Sequence, residues 1–300
     1  MSSTWNGKSK GNVLGYKIFV TTIKYTGLGG AYFILKFVSL YYLLLSRKTS
    51  SYLFYYFKKR LHYSTIKSIF CIYRNYYIFG QTMLDKIVVL SGFTNKFTYT
   101  LEGEDRLRKM IEGNKGGILI SAHIGNWELA GFLLKDITTK INIVLYEGEQ
   151  AKIKEYLDGV MKKKDFNLII VNEGGVDHIY EINNAIERKE LICMHGDRFI
   201  KGSKTALCDF MGEKALFPIG PFILASQLQI PVMFAFSMKE TNSHYRFHVN
   251  EPITYQAKLS KQERDTEAVK ILYSYIQFLE KILAIYPTQW FNYYQFWKTT

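Results

Sequence analysis

Gly117-Ile118-Leu119-Ile120-Ser121-Ala122 is a short apolar run that ends in His123-Ile124-Gly125-Asn126-Trp127-Glu128. Glycines on both sides and branched side chains within it predict a buried strand followed by a tight turn. The same pattern recurs outward from it. Ile141 to Leu145, Asn167 to Val171, Leu191-Ile192-Cys193-Met194 and Val232 to Phe236 read as further strands, and His244 to Val249 alternates with period 2, as an antiparallel strand does. Between them lie helical stretches at Trp127 to Lys135, Gln150 to Met161, Val176 to Arg188 and Pro221 to Gln229. A last helix, Lys261 to Ile285, sets Val269, Leu272, Tyr273, Ile276, Leu279 and Leu283 on one stripe. Strands alternating with helices over short connections predict an α/β fold, a mostly parallel or mixed sheet flanked by helices. In such sheets the chemistry collects beyond the carboxyl ends of the strands.

The composition agrees with a large folded domain. In 300 residues, 48% are hydrophobic and 16% aromatic, which excludes a disordered tail, a collagen-like fibre and a small disulfide scaffold. Cys71, Cys193 and Cys208 show no ligand-like spacing, which points to a reducing compartment and away from a structural zinc site. The net charge of +13 is concentrated in one place. Lys8, Lys10, Lys17, Lys24, Lys36, Arg47, Lys48, Lys58, Lys59, Arg60, Lys67 and Arg74 all precede Asp85, the first acidic residue.

Within that basic segment the most apolar stretch runs from Tyr25 to Ser46. It is close to the roughly 20 residues a membrane span needs. Lys36 sits near its middle, where a charge costs about 3 kcal/mol on insertion scales. Two forms of attachment fit: a single span or re-entrant anchor, or a helix lying in the headgroup plane with its tyrosines at the interface. The expected organisation is a basic, aromatic-rich helical membrane-attachment region over 1–84 and an α/β domain over 85–300. Basic flanks suit an anionic lipid surface, and long aliphatic runs with no nucleic-acid fingerprint point away from nucleic acid.

His123 stands at the end of the first clear strand, five positions before Glu128, and is alone among the six histidines in having an acid at that distance. On one continuous helix, five residues place two side chains about 140° apart. The pair therefore meets only with His123 in the turn and Glu128 early in the helix, with Gly125 and Asn126 supplying turn and cap. In that geometry the carboxylate fixes the imidazole tautomer and raises the basicity of the other ring nitrogen.

With Met194-His195-Gly196-Asp197-Arg198, Asp209-Phe210-Met211-Gly212-Glu213, Phe217-Pro218-Ile219-Gly220-Pro221-Phe222, Ile230-Pro231-Val232 and Pro287-Thr288-Gln289-Trp290 in this order, the chain resembles the lipid A late acyltransferases. These are the lauroyl- and myristoyl-type enzymes of the lysophospholipid acyltransferase superfamily, whose hallmark is His-x4-Asp or His-x4-Glu. The resemblance implies transfer of a fatty acyl chain from an acyl carrier protein or coenzyme A thioester to the hydroxyl or amine of a lipid acceptor, at the cytoplasmic face of a bacterial inner membrane. It implies no metal or redox cofactor. His123 and Glu128 are the expected catalytic dyad. Amides near Gly125 and Asn126 are candidate oxyanion donors, and Asp197 and Arg198 are candidates to hold the acceptor's polar head or the carrier's phosphopantetheine, or to pair with each other as a structural salt bridge. Trp127, Phe210, Phe217 and Phe222 are candidates for an acyl groove. Tyr146-Glu147-Gly148-Glu149 stands where that family usually carries an arginine, so the acceptor stays open among lipid A-like, glycolipid and aminolipid molecules. The Phe-Pro-Glu-Gly-Thr-Arg block of glycerol-phosphate acyltransferases is not present in the sequence.

Overall fold

The computed structural model describes residues 13–90, 96–127, 129, 139–146, 166–171, 177–199, 202–255 and 257–297. Three helical pieces lead: α1 (Val13–Leu45), α2 (Arg47–Tyr55), which passes into a π-helical turn (Tyr56–Arg60), and α3 (Thr65–Leu90). α3 runs unbroken through residues 84 and 85, where the composition changes. The α/β part follows: β1 (Thr98–Glu102), α4 (Glu104–Glu112), β2 (Gly117–Ser121), β3 (Ile141–Tyr146), β4 (Phe166–Val171), α5 (Asp177–Glu187) and β5 (Leu191–His195). After it come β6 (Thr205–Phe210), β7 (Glu213–Pro218), α6 (Gly220–Leu228), β8 (Val232–Lys239), β9 (His244–Val249), α7 (Lys261–Ile285) and a 3₁₀ turn at Pro287–Gln289. The expected helix Gln150 to Met161 lies outside the described residues, as does that at Trp127 to Lys135 apart from Trp127 and Leu129.

Seven strands form one sheet in the order β1-β9-β8-β2-β5-β3-β4. β8, β2, β5, β3 and β4 are parallel to one another, whereas β9 runs antiparallel to β8 and carries β1 parallel to itself. The central strands are mostly apolar, with polar residues chiefly near their ends, because both faces are covered. Ile118 and Ile120 of β2, with Val232, Phe234 and Phe236 of β8, face the main core, which α7 and α6 close with Leu272, Tyr275, Leu279 and Phe222. Leu119 and Met233 point the other way, onto Leu107 and Met110 of α4. Strand alternation thus distributes one sequence over two hydrophobic layers.

Among the strands, two features are not read from the sequence. β6 and β7 pair as an antiparallel hairpin, closed by Met211 and Gly212, both at positive φ (51° and 78°). A two-residue turn of that kind normally advertises itself as Asn-Gly or Asp-Gly, and methionine in the first place hides it. The second is β1, an edge strand whose residues are mostly exposed and so carry no hydrophobic alternation.

The leading helices are fastened to the sheet by a buried polar knot. The Asp85 carboxylate of α3 accepts hydrogen bonds from Tyr32 of α1, Tyr245 of β9 and the Lys239 ammonium at the end of β8. Lys239 Nζ also donates to the Asn242 carbonyl (3.1 Å). Burial pushes the Asp85 carboxyl up and the Lys239 ammonium down, and the charge of each on the other opposes both shifts. Removing one partner of such a pair strands the other charge in the interior, at a cost of about 3–5 kcal/mol. Lys239→Met is accordingly expected to lower the stability of the full chain by about that amount, read as a drop in the urea midpoint. A loss under ~1 kcal/mol would mean that the knot does not hold α1 and α3 to the sheet.

Candidate functional site

β2 and β5 are neighbours in register, with Ser121 opposite His195. The residues just past their carboxyl ends therefore converge. His123 follows β2 by two positions, and Asp197 follows β5 by two. His123 Nδ1 lies 2.8 Å from Asp197 Oδ1, and the His123 backbone N–H donates to Asp197 Oδ2 at 3.0 Å. One carboxylate thus takes both the ring and the main chain of a single histidine, which fixes the χ angles of the imidazole and its tautomer together. The Asp197 side chain is only 2% exposed and that of His123 13% exposed, so the carboxylate is shielded while an edge of the ring remains reachable.

The His195 ring lies on the His123 ring, with centroids 4.3 Å apart and planes tilted by 30°, and Trp127 meets His195 edge-on at 4.5 Å. Metal-ligating atoms of His123, His195 and Asp197 fall within 4.8 Å of one another, the group among the described residues that could hold a cation. The sequence motif Met194–Arg198 offers Asp197 only as a binding or pairing residue and assigns His195 no role. Two histidines at the carboxyl ends of two strands were the signal that could have joined them. Register is what makes it informative.

The turn after His123 is built by main-chain contacts. Gly125 has φ of +57°, and a Cβ there would stand 2.0 Å from the Ser237 carbonyl oxygen, so only glycine fits. The Gly125 N–H donates to the Gln289 carbonyl (2.9 Å) and the Asn126 N–H to the Ser237 carbonyl (2.7 Å). Both amides expected to serve an oxyanion are therefore committed to the fold. The Asn126 side chain is committed too, donating to the Thr82 carbonyl and to the Tyr245 hydroxyl, each at 3.2 Å.

Residues 287–291 clamp the turn from the far side. The Phe291 N–H donates to the His123 carbonyl at 3.0 Å. Gln289 is buried and makes paired bonds to the main chain of Lys239, accepting its N–H (2.9 Å) and donating to its carbonyl (2.7 Å). Asn75 of α3 donates to the carbonyls of Thr288 and Trp290. Pro287-Thr288-Gln289-Trp290 is thus a brace between β8, α3 and the turn that carries His123, a function that its sequence does not announce.

Of the other expected site residues, Arg198 donates to the Phe291 carbonyl at 2.8 Å and adds positive charge beside Asp197. Trp127 is half-buried beside the two histidines. Phe210 and Phe217 are wholly enclosed with Phe296 and Trp297, and Phe222 is wholly enclosed against Tyr275. As packed, these three rings build the core and present no surface to a ligand. Glu128 lies outside the described residues.

Comparison with known proteins gives one family. The family model for bacterial lipid A biosynthesis acyltransferases matches residues 72–299, well over half of the chain, from within α3 to the C-terminal brace. No curated protein matches the chain.

Burial by itself raises the Asp197 pKa, yet the charge and hydrogen bond of His123, followed by the charges of Arg198 and His195, outweigh it and hold the carboxyl well below the usual range. A carboxyl depressed in this way stabilises the fold above its unfolded value of about 3.9, and the contribution is lost as pH falls through the folded value. Asp197→Asn is therefore expected to be less stable than the parent at neutral pH, with the gap closing as pH drops below about 4. Urea midpoints across that range check this. A gap that does not change with pH would remove the charge of Asp197 from the account.

Proposed function

The chain belongs to the bacterial lipid A biosynthesis acyltransferase family, and from that premise we propose that His123 is the general base of an acyl transfer from a thioester to a lipid acceptor. The observation that carries the reading is the 2.8 Å contact of His123 Nδ1 with the buried Asp197 carboxylate. With Nδ1 held as the N–H donor to Asp197, Nε2 is left as the basic nitrogen. It takes the acceptor hydroxyl proton as that oxygen attacks the thioester carbonyl. The C–O bond forms, the tetrahedral intermediate collapses with loss of the C–S bond, and the imidazolium returns its proton to the departing thiolate. Asp197 orients the ring and offsets the imidazolium charge as it develops, as the carboxylate of a catalytic triad does.

In this proposal Glu128, five residues after His123, is the carboxylate of the dyad that the sequence spacing suggests, acting beside Asp197. The donor is an acyl carrier protein or coenzyme A thioester. The acceptor is a lipid A-like, glycolipid or aminolipid molecule presented by an anionic bacterial inner membrane at its cytoplasmic face. The apolar helix Ile18–Leu45 is long and apolar enough to cross or enter a bilayer, and twelve basic residues with no acid before Asp85 suit an anionic surface. The same bilayer position suits delivery of an acceptor that never leaves the lipid phase.

General-base catalysis contributes about 10²–10⁴-fold. His123→Ala is expected to reduce thioester turnover by at least that factor while far-UV circular dichroism and membrane attachment stay as in the parent. Asp197→Asn and Glu128→Gln are each expected to lower kcat with little change in KM. Full turnover in His123→Ala would sink the assignment and favour a membrane-docked protein that keeps the fold without the chemistry. Lipid profiling of a deletion strain, in search of one species that has lost an acyl chain, identifies the acceptor.

A further inference from the structure

Among the described residues, one apolar face of α1 is left exposed. Phe33, Phe37, Tyr41 and Leu44 recur at i, i+4, i+8 and i+11 and are all exposed, Leu44 at 62%. The opposite face, through Ala31, Tyr32, Leu35 and Ser39, is buried. Ile66 (83% exposed) and Phe70 (61%) add a second apolar stripe on the first turns of α3. α1 and α3 run antiparallel: Tyr32 meets Asp85, Leu35 lies against Gly80, and Tyr42 packs on Tyr76. The first turns of α3 therefore continue the exposed stripe beyond Leu44.

Both ends of the apolar stretch are fixed to the same globular body. Near its start, Ile23 and Leu28 pack on the cluster that holds Val88, Val89 and Tyr245. Near its end, Tyr42 and Leu43 pack on the main core. Between them Tyr32 enters the buried knot with Asp85 and Lys239. A helix that crossed the bilayer alone would have to leave this packing or carry the knot and the sheet behind it to membrane depth. Gly27, at φ 71° and ψ −176°, also breaks α1 into two segments, so it is not one straight rod. The charge around the exposed stripe has one sign: Lys24, Lys36, Arg47, Lys48, Lys67 and Arg74 are all positive, and no acidic residue precedes Asp85. Lys36 lies at the edge of the stripe, where a long stem reaches the headgroups.

We propose that α1 and the first turns of α3 form a single-leaflet docking surface: the exposed face lies in the headgroup and upper acyl region of an anionic bilayer, and both ends of α1 stay on the same side. This rests on the membrane-attached acyltransferase reading and gives that attachment its form. It places the turn carrying His123 on the body directly behind α3, to which Asn126 bonds through the Thr82 carbonyl.

The full chain, carrying single cysteines at Lys24→Cys or Arg47→Cys, is tested in bacterial inner-membrane vesicles with a membrane-impermeant maleimide, the parent providing the background from its own three cysteines. Both positions are expected to be labelled in inverted vesicles and protected in right-side-out ones. In parallel, purified parent and a Phe37→Asp/Leu44→Asp variant are floated with phosphatidylcholine vesicles with and without phosphatidylglycerol. The variant is expected to bind phosphatidylglycerol vesicles at least about tenfold more weakly. Because both substituted side chains are exposed, its thermal midpoint is expected to match the parent's. Labelling of the two cysteines from opposite sides means a spanning helix and overturns the docking surface while membrane attachment stands. Unaltered binding by the double variant overturns the face chosen. Failure of the parent to bind any vesicle overturns attachment itself, and the docking surface with it.

Discussion

A carboxylate taken out of water persists as an anion only where fixed donors replace the solvent it has lost. Asp197 meets that condition with two donors from one residue, the His123 main-chain amide and imidazole, and with the Arg198 charge beside it. Those contacts require β2 and β5 to be adjacent, parallel and in the register that sets Ser121 opposite His195. They also require the turn after β2 to fold back tightly enough to bring the histidine over the neighbouring strand. Much of the surrounding structure maintains those two requirements.

The turn is held from three directions. β8 accepts the Asn126 amide, the C-terminal brace accepts the Gly125 amide and donates to the His123 carbonyl, and the Thr82 carbonyl of α3 accepts from the Asn126 side chain. The brace is itself anchored by Gln289 on β8 and by Asn75 of α3. The leading helices are therefore structural neighbours of the turn that carries His123. Tyr245 joins the two systems, since its hydroxyl bonds Asp85 in the knot and receives Asn126 from the turn. A change in how α1 and α3 sit has a short covalent and hydrogen-bonded route to His123.

Local patterns carried much of the fold. α7 occupies Lys261–Ile285, the bounds its apolar spacing implies, and a Ser260–Glu263 capping box explains the sharp start. Of the expected stripe, Leu272, Ile276, Leu279 and Leu283 are buried, whereas Val269 and Tyr273 are exposed, with Ile271 and Tyr275 taking the buried face. Strands β2, β3, β4, β5, β8 and β9 fall at or within a few residues of the runs read as strands. What escaped was what lacks a local signature: the exposed edge strand β1, the short helix α4, a hairpin turned through Met211, and the length of α3, whose polar Asn75, Gln81 and Asp85 face the interior and interrupt its apolar periodicity. The position of His123 was legible because it follows a glycine-bounded strand. The enclosure of Phe210, Phe217 and Phe222 was not, because aromatic composition alone does not tell a groove from a core.

By itself the sequence determined the α/β class, the histidine at a strand's carboxyl end and a basic, aromatic N-terminal segment, since periodicity, glycine placement and charge are properties of neighbours along the chain. Only the tertiary structure decided that Asp197, 74 residues away, brings a carboxylate onto His123, and that the amides of Gly125 and Asn126 are taken up by the fold. Hydrogen-bond partners are fixed by strand order and register, and a linear pattern of residue types contains neither.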